Sequence, residues 1–210
     1  MCSLRVQISV IIPTYGRPEK LSCAVNSLLN NNVEVIVVDD NGVGSVNQKL
    51  THTVMLQYQG DFNITYHVLP ENMGACKARN FGVSLAKSNV IAFLDDDDLC
   101  VMDSFLEKLS FFRSNKDADF CCSNMLVRRG GGDFLTHFSD FKGVQSKEYL
   151  LSGNCYTPMI MVRKDAFIDI GGFSTTVKYQ DHVLMLKAHL HLKNIIHFDQ
   201  VTFIHNEHGG

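Results

Sequence analysis

Four consecutive carboxylates, Asp95-Asp96-Asp97-Asp98, directly follow the apolar run Asn89-Val90-Ile91-Ala92-Phe93-Leu94. Like charges packed this closely repel one another, and a hard divalent cation with oxygen ligands is the counter-charge that suits them best. The run before them is β-branched and apolar, the pattern of a buried strand. In open α/β sheets, ligands bind at the carboxyl ends of strands. A second reading makes the aspartates a solvated acidic turn ahead of a helix that begins near Met102-Asp103.

Other chemistry-bearing residues occupy equivalent places. Pro13-Thr14-Tyr15-Gly16-Arg17 follows the apolar run at Ile8–Ile12, and Asp39-Asp40-Asn41-Gly42 follows Val33–Val38. Glu71-Asn72-Met73-Gly74, leading into Lys77 and Arg79, follows Ile64–Leu69. Guanidinium groups and helix N-termini suit phosphate oxygens, whereas carboxylates reach phosphate through a divalent metal. Asp39 or Asp40 can instead accept from a base N–H or a ribose hydroxyl, or form an Asx turn. Together these groups describe a metal-bridged nucleotide diphosphate site.

The elements that must position them alternate. Strands at 8–12, 33–38, 64–69 and 90–94 are separated by a helix from Pro18 to about Leu29, a mixed polar segment, and a helix from Gly74 to about Ala86. Ala75, Ala78, Phe81, Gly82 and Leu85 share one face of that last helix. A further helix covers 103–113. Strand–helix alternation predicts an α/β fold of Rossmann-like character with a mainly parallel central sheet flanked by helices. Beyond Asn115 the pattern loosens. Strands are expected at 119–122, 125–127, 157–162, 195–198 and 201–205, with a helix from Gln180 to about Leu192. Arg128–Asp133, with three glycines, reads as a hairpin tip or loop rather than a phosphate cradle.

The 210 residues fit one domain with a substantial core. A net charge of -3 without a long basic block disfavours non-specific nucleic-acid binding. No apolar stretch approaches the roughly 18 residues of a membrane span, and Met1–Gln7 lacks the layout of a signal peptide. Seven scattered cysteines without a C-x-x-C pair read as reduced, mostly buried thiols of a cytosolic protein. Cys121 and Cys122 would point to opposite faces of a strand. Late histidines include His189 and His191, which do not share a helix face, and there is no H-E-x-x-H zinc motif.

The series Val10–Tyr15, Val37–Asp40, Asn72–Asn80, Phe93–Asp98 and Gly171-Gly172-Phe173 with Gln180-Asp181 resembles family 2 glycosyltransferases of the GT-A fold, from about Ile8 to the end of the chain. The resemblance implies an inverting transferase that moves a sugar from a nucleotide-diphosphate donor, most often a UDP-sugar, to a hydroxyl of a glycan or lipid-linked saccharide. It puts nucleotide-sugar contacts at Pro13, Thr14, Tyr15, Arg17, Asp39 and Asp40, and also at Gly74, Arg79, Asp95 and Asp96. Asp95-Asp96-Asp97 resembles the DXD motif. Asp97, with Asp95 and His205, would hold Mn²⁺ or Mg²⁺, His208 being an alternative to His205, and Asp98 would be a helix-start or supporting residue. Asp181 resembles the catalytic base, although the family often has Glu where this chain has Gln180; the local alternative for Asp181 is a helix N-cap.

One catalytic domain is implied, with residues 1–115 on the nucleotide side and 116–210 on the acceptor side. A cytoplasmic location is expected, with peripheral attachment to the inner membrane face where the acceptor is lipid-linked. The chain stops at Gly210, where many relatives continue, which fits a catalytic core cut short. Two other readings share the architecture. One is a nucleotide-sugar-binding subunit without chemistry, to which Gln180 gives some room. The other is a sugar-nucleotide pyrophosphorylase, disfavoured by the single glycine in Pro13–Pro18. A calcium loop from Asp95 to Glu107 lacks EF-hand spacing.

Overall fold

The structure, a computed structural model, describes residues 6–130, 132–136, 155–175 and 178–207. Two apolar strands form its centre. Every residue of β1 (Ile8–Thr14) and β2 (Val33–Asp39) is buried. Continuous burial is what a strand covered on both faces requires, so the runs show no polar alternation. They pair in parallel, Thr14 beside Asp39. β3 (Ile64–Val68) adds in parallel to β2, and β4 (Val90–Phe93) in parallel to β1. The carboxyl ends of these four strands therefore lie along one edge.

Helices cover the sheet. α1 (Pro18–Asn26) begins with Pro18, whose missing N–H would be unpaired there anyway. α3 (Ala75–Leu85) packs closely on β1, and a Cβ added at Gly82 would come within 2.5 Å of the Ile11 side chain. α4 (Met102–Ser114) follows the acidic run after the short strand β5 (Leu99–Cys100). The second half supplies β6 (Phe120–Arg129), β7 (Gly132–Thr136), β8 (Ile160–Arg163) and β9 (Ile195–Asn206). The sheet order is β3-β2-β1-β4-β8-β6-β9-β5, with β7 paired to β6. β8 runs antiparallel to both β4 and β6, while β6 and β9 are parallel. α5 (Lys164–Asp169) and α6 (Gln180–Leu190) complete the described helices.

Several boundaries differ from the sequence expectation for physical reasons. Pro13 does not end β1. It withholds one donor, but Asp40 N donates to Thr14 O at 2.9 Å, carrying the pairing with β2 past it. The mixed polar segment contains α2 (Val46–Met55), capped by Ser45, whose Oγ accepts from Gln48 N at 3.1 Å. Only Thr51 and Met55 of this helix are buried, too thin a stripe to read as amphipathic. On α3, Cys76, Ala78, Arg79, Gly82 and Val83 face inward, whereas Phe81 is exposed. Thr157–Met159 is a 3-10 turn leading into β8 rather than the start of a strand.

The two expected strands at 119–127 are one, because the polar residues between them are satisfied across the sheet. Ser123 Oγ meets Thr202 Oγ1 at 2.6 Å, and Asn124 Nδ2 donates to Asp199 at 2.9 Å. The β6–β9 register shifts at these two residues, and β9 runs unbroken where two strands were expected. Lys108 of α4 is fully buried, and burial lowers the pKa of its ammonium. It donates to Ser123 Oγ at 3.0 Å and Met159 O at 2.6 Å, tying α4 to β6 and the 3-10 turn. The expected hairpin tip is the β6–β7 turn, of which Gly131 lies outside the described residues. The six described cysteines are free thiols, with Cys2 outside that set. Among the described residues, no helix is long and apolar enough to cross a membrane.

Candidate functional site

The four aspartates divide into two pairs. Asp96 and Asp98 are 0% and 1% exposed, whereas the side chains of Asp95 and Asp97 keep 30% and 8% of their surface. Asp96 accepts from Thr14 Oγ1 at 2.7 Å and Tyr15 N at 3.4 Å, and it ion-pairs with Arg17 Nη2 at 2.7 Å. It thus holds the loop after β1 against the loop after β4. Burial pushes its carboxyl up to about 6, against the opposing pull of Thr14 and Arg17. The other arm of the Arg17 guanidinium bonds Asp97.

Asp98 does not start a helix, since α4 begins at Met102. Its Oδ1 takes His205 Nδ1 at 2.9 Å and the Asn206 amide at 3.2 Å, and Asn206 Nδ2 donates to the Asp97 carbonyl at 2.7 Å. The end of β9 is thereby fastened to the acidic turn. Burial raises Asp98 to about 6 despite the histidine, and the bond to Asp98 raises His205 in turn. A carboxylate on Nδ1 fixes the tautomer that leaves Nε2 as the imidazole's lone-pair donor. His208 lies outside the described residues.

Arg79, buried on α3, joins the acidic turn to the start of α6. Its Nη2 bonds Asp95 Oδ1 at 2.6 Å and its Nη1 donates to Gln180 Oε1 at 2.8 Å. The guanidinium stands over the Phe173 ring, 5.4 Å from its centroid. Phe173 is placed by Asn80, which donates to its carbonyl at 2.8 Å and accepts from its amide at 2.9 Å. Gly171 and Gly172 precede it at φ +73° and +57°, the left-handed region that glycine enters without strain. The Gly-Gly-Phe motif is thus a support for Arg79. Gln180 fills the position with an acceptor oxygen that Arg79 uses, without adding a negative charge.

Asp181 is the second residue of α6, not its cap. The residue before the helix is Tyr179, at φ 60°. Asp181 Oδ1 accepts from the amide of His182 at 2.8 Å. Burial raises its pKa, opposed by that amide and by Arg79.

Asp39 and Asp40 are buried at the end of β2. Asp39 accepts from Tyr66 Oη at 2.5 Å and from Asn41 N and Nδ2 at 2.9 and 2.7 Å. Asp40 accepts from Met73 N at 2.7 Å and Gly74 N at 2.8 Å, a carboxylate set against the N-terminus of α3. The Gly74 amide is therefore engaged within the protein. Pro13 is buried, and the Tyr15 side chain is exposed beside the site. Sequence reasoning missed Tyr66, Asn206 and Lys187, which donates to Gly172 O at 2.5 Å. Nothing local marks them, because each acts on a partner far along the chain. A cavity of about 430 Å³, lined by Met125, Phe134, Tyr156, His205 and neighbouring residues, adjoins the acidic turn through His205.

The carboxylate set suits a hard cation, but among the described residues no three His, Cys, Asp or Glu side chains are arranged to hold one. Asp97 and Asp95 are instead matched by Arg17 and Arg79. This arrangement fits a metal that takes one or two carboxylates and completes its shell with phosphate and water, as Mg²⁺-type sites do, and not a closed protein cage.

The family model described as glycosyl transferase family 2 matches residues 9–171. An uncharacterized glycosyltransferase of Haemophilus influenzae is 29% identical over 188 residues, covering 86% of this chain and 61% of that protein. The crystal structure of S. aureus TarS 1-349 in complex with UDP-GlcNAc matches with a TM-score of 0.76 at 23% identity, over 97% of this chain and 59% of that one. The mannosyltransferase PcManGT from Pyrobaculum calidifontis, in complex with GDP-Man and Mn²⁺, matches with a TM-score of 0.70 at 14% identity, over 95% and 56%. The chain therefore spans about three-fifths of the length of these proteins, and their architecture, the GT-A fold, is also its own.

Proposed function

Since this chain belongs to glycosyl transferase family 2, we propose that it is an inverting glycosyltransferase that moves a sugar from a nucleotide-diphosphate donor, a UDP-sugar, to an acceptor hydroxyl. The observation that carries this reading is the Arg79 bridge. One guanidinium ties Asp95 of the acidic turn to Gln180, the neighbour of Asp181, at the carboxyl edge of the parallel strands. This supports a reading in which the donor site and the base are linked through one side chain.

In this reading residues 1–115 bind the nucleotide and 116–210 the acceptor. Tyr15 and the wall built on Pro13 and Thr14 flank the base, with Asp39 and Asp40 shaping the pocket end. Arg17 and Arg79 supply positive charge toward the diphosphate. Asp97, with Asp95 or His205 Nε2 as a second ligand, would hold Mn²⁺ or Mg²⁺, phosphate and water completing the shell. Such a metal, when bound, neutralises charge on the departing diphosphate. Asp96, Asp98 and Gly74 act from behind as supports. Asp181 takes the proton of the acceptor hydroxyl as that oxygen attacks the anomeric carbon opposite the leaving nucleotide, and such attack inverts the centre.

The acceptor is a glycan or a lipid-linked saccharide that enters by the cavity beside His205. A lipid-linked acceptor would bring the protein to the cytoplasmic face of a membrane. TarS was solved with UDP-GlcNAc and PcManGT with GDP-Man, and both fit the general donor class.

The test is calorimetric titration of UDP and GDP, with and without Mn²⁺, on wild type, Asp97→Ala and Asp181→Asn. Metal-dependent UDP binding that is lost in Asp97→Ala and kept in Asp181→Asn is expected. Asp181→Asn should also lower turnover of the matching UDP-sugar by about 10²–10⁴-fold, the usual contribution of a general base. Preferential GDP binding would change the donor. No nucleotide binding in any arm would overturn the reading.

A further inference from the structure

We propose that Asp39 serves the nucleotide without touching it: with Tyr66 it orients Asn41, and Asn41 holds the Tyr15-Gly16-Arg17 loop in the shape that receives base and diphosphate. The inference rests on the donor-site reading above and adds positioning residues to it. Asp39 has 0% of its surface exposed. Its Oδ2 accepts from Tyr66 Oη, and its Oδ1 accepts from both the backbone amide and Nδ2 of Asn41. Burial, and next the bond to Asp39, raise the pKa of the Tyr66 phenol, so it remains a donor at any ordinary pH. The protein's own donors thus close this carboxylate off from a base.

What Asp39 controls is the direction of an amide. A side-chain amide has a donor end and an acceptor end, and an ionised carboxylate takes only the donor. Asp39 therefore draws Nδ2 of Asn41 to itself at 2.7 Å. That turns Oδ1 of Asn41 toward the loop after β1, where it accepts from Gly16 N at 2.8 Å. Thr51, buried on α2, stands 3.4 Å from the same Nδ2. Gly16 lies at φ +70°, and the two residues it separates go different ways. Tyr15 is left 56% exposed beside the site, while Arg17 turns in to Asp96 and Asp97. Asp96 pins Tyr15 N at 3.4 Å, and Asn41 pins the centre of the turn. With the amide flipped, its NH₂ would face the Gly16 N–H, donor against donor, and the loop would lose that point of attachment.

The experiment titrates UDP with Mn²⁺ by calorimetry into wild type, Asn41→Ala, Asp39→Asn, Asn41→Asp and the double variant Asp39→Asn/Asn41→Asp, each checked by thermal melt. Alongside, hydrogen exchange measured by NMR follows the Gly16 amide in the free proteins. That amide should be protected in wild type and exchange faster in Asn41→Ala. The same variant should bind UDP about tenfold more weakly, the scale of one lost buried hydrogen bond. Asp39→Asn frees the Asn41 amide to flip, and Asn41→Asp sets two carboxylates face to face, so both should weaken UDP binding. The double variant exchanges donor and acceptor: the amide at position 39 donates to the carboxylate at position 41, which still accepts from Gly16 N. It should regain most of the lost affinity. A base read directly by the Asp39 carboxylate predicts the opposite, since no carboxylate returns to that position. An unprotected Gly16 amide in wild type, unchanged UDP affinity in Asn41→Ala, or a double variant no better than Asp39→Asn would each overturn the proposal and leave the donor site standing. The wild-type exchange measurement keeps the proposal refutable where a variant does not fold. If wild type binds no UDP, the donor-site reading falls and takes the proposal with it.

Discussion

Gly172→Ala tests whether the Gly-Gly-Phe motif is a backbone device for placing Arg79. Gly172 sits at φ +57°, and a Cβ there would lie 2.7 Å from Asn80 Oδ1 and 2.8 Å from Phe167 Cε1. The left-handed conformation alone costs an L-residue about 1–2 kcal/mol. Forcing a methyl into a packed site adds about 1–3 kcal/mol. The expected loss is therefore about 2–5 kcal/mol. Gly171 supplies an internal control, because at φ +73° its added Cβ would meet nothing nearer than Lys187 Nζ at 3.7 Å. Gly171→Ala should lose the conformational part alone, about 1–2 kcal/mol. For a chain of this size each kcal/mol moves the melting temperature by about 2–4 °C, so Gly172→Ala should melt about 4–20 °C lower and Gly171→Ala about 2–8 °C lower. Urea unfolding followed by circular dichroism measures both. Equal destabilisation of the two variants would refute the packing account, and with it the idea that Asn80 and Phe173 hold the loop against α3.

Asp181 is raised above the ordinary carboxylate range by burial. A base must be ionised to act, so kcat/KM should rise with pH along a limb centred above 3.8; a limb at or below that value would contradict the role. Asp96, at about 6 folded against 3.8 unfolded, keeps its proton more firmly in the folded state. Its contribution is complete below pH 4 and is lost as pH rises through 6, a difference of about 3 kcal/mol that Asp96→Asn should abolish in a pH series of urea titrations. Tyr66→Phe removes the hydroxyl held by Asp39 and should cost about 1.5–3 kcal/mol in stability, the range for a hydrogen bond to a charged group. A loss under 0.5 kcal/mol would show that Asp39 is satisfied without it.

By itself the sequence determined the four parallel strands of the first half of the chain and the edge on which their polar loops gather. Apolar, β-branched runs at 8–12, 33–38, 64–69 and 90–94 make strands by their composition, and the carboxylates, arginines and threonine that follow must lie where those strands end. These are local properties, set within a few residues. The Ser45-capped helix at 46–55 escaped because its stability comes from burying Thr51 and Met55 against the rest of the protein, and not from a visible stripe.

Which carboxylate meets which cation was decided by tertiary structure alone. Thr14 and Asp96 are 82 residues apart, Asp98 and His205 are 107 apart, and Arg79 and Gln180 are 101 apart. A run of four aspartates carries no mark of which two turn inward. Asp96 and Asp98 did so because Thr14, Arg17 and His205 were waiting on neighbouring strands and loops. The antiparallel insertion of β8 between β4 and β6, which places α6 and Asp181 within reach of Arg79, likewise depends on pairing partners that no short window of sequence contains.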